Sequence, residues 1–245
     1  GFSTDWGTII ISRRNGLYKE TGYHEGAIWP LFTGWASLAE YKVGELYNAE
    51  NHWLANLNEA NFFAKGEISE VINGGVYKPT GICDHQAWSQ SFSLHSIYEG
   101  LLGLNINAPE KSVKLQPQIS FEFNDIKLKN IYIGDTKMRI KFKREIKGLK
   151  VKEKYEMNSQ KKLKYSFSPY IAKYSKILSI SINGRDTGYE KIEKLNTDYL
   201  SINESFGGKS VVVELEYEVP FILKPIKPKY FPNSTSNLPR ITGIE

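Results

Sequence analysis

The chain has 245 residues, 40% of them hydrophobic and 13% aromatic, which is enough for one large or two ordinary cores and excludes a disordered polyelectrolyte. Its apolar runs fall short of the about 18 residues a membrane span needs, and the start, GFSTDWGTII, has neither the basic flank nor the cleavage site of a signal peptide. The net charge of +5 is unevenly shared: up to Ala108 there are 6 Lys+Arg against 11 Asp+Glu, and beyond it 26 against 16.

A basic half raises the question of a nucleic-acid partner. Its lysines, however, alternate with apolar residues, as in Lys137-Met138-Arg139-Ile140-Lys141-Phe142-Lys143, the pattern of a sheet with one wet face. No nucleic-acid or membrane partner is therefore expected. The single cysteine, Cys83, excludes an intrachain disulfide and suits a reducing, cytoplasmic setting. The lack of an initiating Met raises the expectation that the chain is a piece of something longer.

Residues 1–29 are rich in Gly and aromatics and read as loops that rim a site. Pro30 suits the first turn of a helix, and Phe32, Trp35, Ala39, Val43 and Leu46 recur at three and four, predicting a helix over Pro30–Tyr47. A second helix carries Trp53, Leu57, Ala60 and Ala64 on one side and stops near Gly66. Trp35 and Trp53, on these stripes, are expected in the core. From Gly66 to Ser89 runs a loop broken by Asn73-Gly74-Gly75 and Pro79-Thr80-Gly81, after which a third helix is predicted over His85–Leu102. That helix is apolar over most of its circumference, so it is expected to be buried between neighbours, and three helices alone do not close such a core.

After Leu104–Lys111 the period changes to two. Strands are predicted at Val113–Leu115, Ile119–Phe123, Asp125–Ile133, Lys137–Phe142, Gly148–Glu156, Lys162–Phe167, Ile177–Ile182 and Ser210–Glu218, with hairpin turns at Gly134-Asp135 and Asn183-Gly184. The expected organisation is a helical domain over 1–107, an antiparallel β-sandwich over 108–220 and an extended, proline-containing tail over 221–245.

The loop supplies the chemistry. Hydrolysis of a glycoside with inversion takes two carboxyls about 6.5–9.5 Å apart, one protonating the leaving group and one activating water. Aromatic faces stack on the sugar while carboxylates and amides bind its hydroxyls. All five tryptophans (Trp6, Trp29, Trp35, Trp53, Trp88) precede residue 100, and Glu67 and Glu70 lie at the head of the loop. Asp5, beside a Trp-Gly turn, reads equally as a hydroxyl binder or a backbone cap. His24, His52, His85 and His95 lack metal-ligand spacing, so no metal and no cofactor is expected.

The stretches YHEGAIWPLFTGWASLAEYKVGE (Tyr23–Glu45), GEISEV (Gly66–Val71), CDHQAWS (Cys83–Ser89) and EGLLGL (Glu99–Leu104), with STDWG at the start, resemble the C-terminal half of the catalytic barrel of glycogen debranching enzymes of the amylo-α-1,6-glucosidase type. The resemblance implies a partial (α/α)₆ barrel followed by a β domain, and an inverting hydrolase of α-glucosidic bonds acting on an α-glucan or oligosaccharide. It implies Glu70 as general base, with the general acid outside this chain in the other half of the barrel. It implies Trp6, Tyr23, His24, Trp29, Gln86 and Trp88 around the sugar. Glu25 stands where the family usually has an amide, so a further carboxylate is implied at the pocket. The alternative is a noncatalytic carbohydrate-binding or accessory chain.

Overall fold

The computed structural model describes residues 2–4, 6–61, 65–194, 197–202 and 206–221. Asp5 and the tail from 222 lie outside them. The chain divides into two compact units, one up to Gly100 and one over Leu101–Leu223.

The first unit opens with a short hairpin of β1 (Phe2–Thr4) and β2 (Gly7–Ile9), then uses three helices. Helix α1 (Pro30–Val43) starts on its proline, whose missing N–H would have no partner in a first turn anyway, and stops where Gly44 adopts φ 82°. Helix α2 (Leu46–Glu59) follows at once and packs antiparallel to it through polar ties. Ser37 donates to the Ala49 carbonyl at 2.8 Å, the Trp53 indole N–H to the Tyr41 hydroxyl at 3.0 Å, and the Asn56 amide to the Pro30 carbonyl at 2.9 Å. Helix α3 (Ala87–His95) crosses α1 closely at Gly34, where a Cβ would come within 2.9 Å of Phe92. It gives way to one wider, π-type turn over Ser96–Leu101.

The partial (α/α)₆ barrel is corrected by this structure, which has three helices among the described residues and is built mainly of strands. The third helix, α-helical over Ala87–His95 and continued by the π-type turn to Leu101, nearly spans the expected His85–Leu102. Its outer side is wet, with Trp88 43% and Leu94 51% exposed, as is Trp35 on α1 at 48%. The periodicity marked helix faces correctly but not which face meets protein, because that depends on what packs there. Trp53, at 5% exposure, is in the core as expected.

The second unit holds β3 (Asn105–Asn107), β4 (Ser112–Leu115), β5 (Asp125–Ile133), β6 (Thr136–Lys147), β7 (Lys150–Phe167), β8 (Tyr170–Ile171), β9 (Lys176–Ile182), β10 (Arg185–Asp186), β11 (Tyr189–Glu193), β12 (Asp198–Ile202) and β13 (Phe206–Glu218). Eight form one sheet with the path β10-β9-β13-β7-β4-β3, joined by β6 on β7 and β5 on β6, and β11-β12-β8 form a second. The antiparallel sandwich is also corrected: β4 runs parallel to the end of β7, Val113 facing Tyr165, so the large sheet is mixed. The cause is the length of β7. Two predicted strands fuse into 18 residues, whose first part pairs with β6 and whose last part pairs with β4.

Side chains alternate across this sheet, burying Met138, Ile140 and Phe142 from β6, Val151, Tyr155 and Met157 from β7, and Val211, Val213 and Leu215 from β13. Arg144 and Glu153 break the alternation, being charged yet buried on the inner face. Two of the guanidinium nitrogens meet Glu153 Oε1 at 2.7 and 2.9 Å, and Glu153 also accepts from the Tyr155 and Tyr217 hydroxyls at 2.8 Å each. The remaining N–H groups reach the carbonyls of Ile119, Ser120 and Phe123. Ile119–Phe123, expected as a strand, is instead an irregular segment whose carbonyls are satisfied by this arginine.

Candidate functional site

The loop from Gly66 to Gln86 in the first unit is held as a scaffold by backbone pairing. Ile28 and Ile72 exchange two hydrogen bonds of 2.9 Å, with Ile9 bridging to Ile28 and Pro79 to Ile72. Asn73 turns the chain by accepting the Gly75 and Val76 amides on Oδ1 at 2.7 and 2.9 Å, as its residue type favours. Gly74 is needed there, because a Cβ would lie 1.9 Å from the Gly26 carbonyl. The ends are tied too: the Glu70 amide donates to the Cys83 carbonyl, the Gln86 amide to that of Ile68, and the Gln90 side chain to that of Gly66.

On this scaffold Glu70 is buried to 9% exposure, and its Oε1 accepts the Tyr23 hydroxyl at 2.8 Å. Tyr23 comes from a separate turn, in which the Gly26 and Ala27 amides both bond back to the Gly22 carbonyl. Burial, the hydrogen bond to Glu70, its negative charge and that of Cys83 together push the Tyr23 phenol above its ordinary value. The Tyr23 ring meets His24 edge-on at 4.7 Å and Trp29 at 4.6 Å, while His24 and Trp29 stack within 3° of parallel at 6.0 Å. The Trp29 indole N–H donates to the Tyr23 carbonyl, locking the group. A carboxylate beside aromatic faces and a phenol suits an uncharged, hydroxyl-rich ligand.

Of the sequence-assigned residues, the structure gathers Glu70, Tyr23, His24 and Trp29. Glu25 shares their turn and is exposed, its carboxylate lying over Gly22. Gln86 precedes α3, accepts the Ala87 amide and donates to Cys83 Sγ at 3.7 Å, so it touches the loop rather than Glu70. Trp88 is on the wet side of α3. Trp6 lies in a core cluster with Ile9, Ile28, Ala55 and Ile72 and supports the loop from below, its indole N–H donating to the Asn73 carbonyl at 3.2 Å.

Sequence reasoning missed the continuation of the aromatic row. Trp29, Phe32, Trp35, Phe92 and His95 follow one another with centroids 5.3–5.6 Å apart. The three-residue spacings 29–32–35 and 92–95 were the signal. The Cys83 backbone, at φ +41°, holds the Glu70 amide through its carbonyl. Among the described residues no group of three His, Cys, Asp or Glu side chains is placed to hold a metal, and no helix is long and apolar enough to cross a membrane.

No family model and no curated protein matches this chain. A solved structure does: a GH127 β-L-arabinofuranosidase from Geobacillus stearothermophilus T6, at 10% identity and a TM-score of 0.38, over 83% of this chain. The chain spans 33% of that enzyme's length. That neighbour is a glycoside hydrolase, and at this score its substrate and mechanism do not transfer. The resemblance to debranching enzymes is overturned by the mostly-strand fold, with three α-helices among the described residues, and the glycogen-debranching assignment falls with it.

Proposed function

We propose that the first unit carries a saccharide site and supplies the water-activating carboxylate of an inverting glycoside hydrolase. The observation that supports it is the Tyr23–Glu70 contact of 2.8 Å, a nine-tenths buried carboxylate beside the Tyr23, His24 and Trp29 rings. The carboxylate takes a proton from water as that water attacks the anomeric carbon and the glycosidic C–O bond breaks, the departing oxygen taking its proton from a second carboxylic acid. The exposed His24 and half-buried Tyr23 rings face the sugar, and Trp29, 7% exposed, backs them from the core. Tyr23 holds the carboxylate in place during the transfer.

The test is a panel of nitrophenyl glycosides and maltooligosaccharides, with the first-formed anomer followed by proton NMR. Hydrolysis with inversion is expected, lowered about 10²–10⁴-fold by Glu70→Gln with saccharide binding retained. Retention of configuration, or full activity in Glu70→Gln, removes the base role. Saccharide binding without turnover by the unaltered chain moves the assignment to a noncatalytic carbohydrate-binding chain.

A further inference from the structure

The wet face of β5, β6 and β7 sets lysine directly opposite lysine. The register pairs Lys127 with Lys141, Lys143 with Lys154 and Lys147 with Lys150. Like charges directly opposed on antiparallel strands destabilise a sheet, and an outward strand position accepts Thr, Gln or Glu equally well. Relief from carboxylates is uneven. On one side, β13 places Glu214, Glu216 and Glu218 opposite the cations of β7. On β5 and β6 the compensation is thinner: Asp125 lies 3.6 Å from Lys127 and opposite Lys143, Glu156 lies opposite Lys141 and 3.5 Å from it, Glu145 lies opposite Lys152, and Arg139 faces Asn158. The fold itself gives no reason for this surplus.

We propose that the β5–β6 face docks an anionic polysaccharide, whose carboxylates or sulfates replace those the sheet does not provide. Outward residues recur about every 6.8 Å along a strand and about every 4.8 Å across strands, an extended lattice that fits a linear charged chain better than a single anion. Tyr132, opposite Lys137, is 66% exposed on this face and takes Lys137 Nζ at 5.3 Å from its ring centre. One ring offers a seat for a sugar face but not the row of platforms on which successive bases stack. The preference for a polysaccharide rests in part on the saccharide reading of the Glu70 site.

The test titrates the full chain at about 20 mM salt with polygalacturonate, heparin and single-stranded oligothymidylate. Binding of at least one polysaccharide is expected, falling steeply with salt; the tighter of the two tells carboxylate from sulfate. Lys127→Glu with Lys147→Glu is expected to weaken it about tenfold or more, while Lys42→Glu with Lys65→Glu, the same change in net charge in the first unit, leaves it within about twofold. The first pair is also expected to keep or raise the melting temperature, since each Glu then faces a Lys. Equal weakening by both pairs, no polysaccharide binding at low salt, or tighter binding of oligothymidylate than of either polysaccharide overturns the proposal. Glu70→Gln is expected to leave heparin and polygalacturonate binding intact, so failure of the Glu70 reading is separable from failure here.

Discussion

The hydroxyl of Tyr23 donates to Oε1 of Glu70 across 47 residues of sequence, at 2.8 Å. Burial, the hydrogen bond and the carboxylate's charge all hold the phenol's proton; Glu70→Gln removes the charge and leaves burial and a neutral amide oxygen as acceptor. Titrating the tyrosines by ultraviolet difference or NMR is expected to show Tyr23 moving down toward its ordinary value in Glu70→Gln without reaching it. An unmoved Tyr23 would mean the pair does not form in solution. Tyr23→Phe is expected to cost about 1 kcal/mol in urea unfolding.

Glu59, at the end of α2, is 1% exposed, its carboxyl buried beside the Ser69 backbone amide. Burial raises its carboxyl well above the ordinary range, and the Ser69 amide offsets this only in part. The folded state therefore binds this proton more tightly than the unfolded chain. The resulting stability is complete below the unfolded value near 4.5 and is lost as pH rises toward the folded one. Glu59→Gln is expected to raise the urea midpoint at pH 7 and to remove a slope of up to about 1.4 kcal/mol per pH unit above pH 4.5. Wild type and Glu59→Gln running parallel from pH 4 to 8 would rule this out.

Arg144 and Glu153 are 2% and 1% exposed at the side chain, and Arg144 also donates to the Ile119, Ser120 and Phe123 carbonyls. Arg144→Met leaves the Glu153 carboxylate buried without its counter-charge and three carbonyls without this donor. A loss of about 3–5 kcal/mol is expected in denaturant unfolding, and less for Arg144→Met with Glu153→Leu, because the apolar pair leaves no charge uncompensated.

Neighbouring glycines in the site loop are expected to differ. In Gly74→Ala the new Cβ meets the Gly26 carbonyl at 1.9 Å, which is backbone and cannot yield, so a loss of about 2 kcal/mol or more and disruption of the Tyr23–Glu70 pair are expected. In Gly75→Ala it meets the Glu20 carboxyl, the far end of a flexible side chain, and a cost under about 1 kcal/mol is expected. Circular dichroism melts of the two variants check the contrast.

The sequence by itself determined what local physics decides. Pro30 opens α1, although Gly44 ends it short of the expected Tyr47, the alternation over Lys137–Lys143 reads out the wet and dry faces of β6, and Asn73-Gly74-Gly75 is a turn. Tyr23, His24 and Trp29 were marked together with Glu70 through a resemblance that the fold overturned, and their contact is a fact of the tertiary structure alone. Tertiary contacts also decided what chain-local patterns do not encode. Trp6 is under the loop and Trp35 is on the surface, because burial depends on which element covers a stripe and not on its period. Arg144 holds an apolar position because its charge is met by Glu153, nine residues away, and its remaining N–H groups by a segment more than twenty residues away, so the cost of burying it is offset only after the sheet has closed.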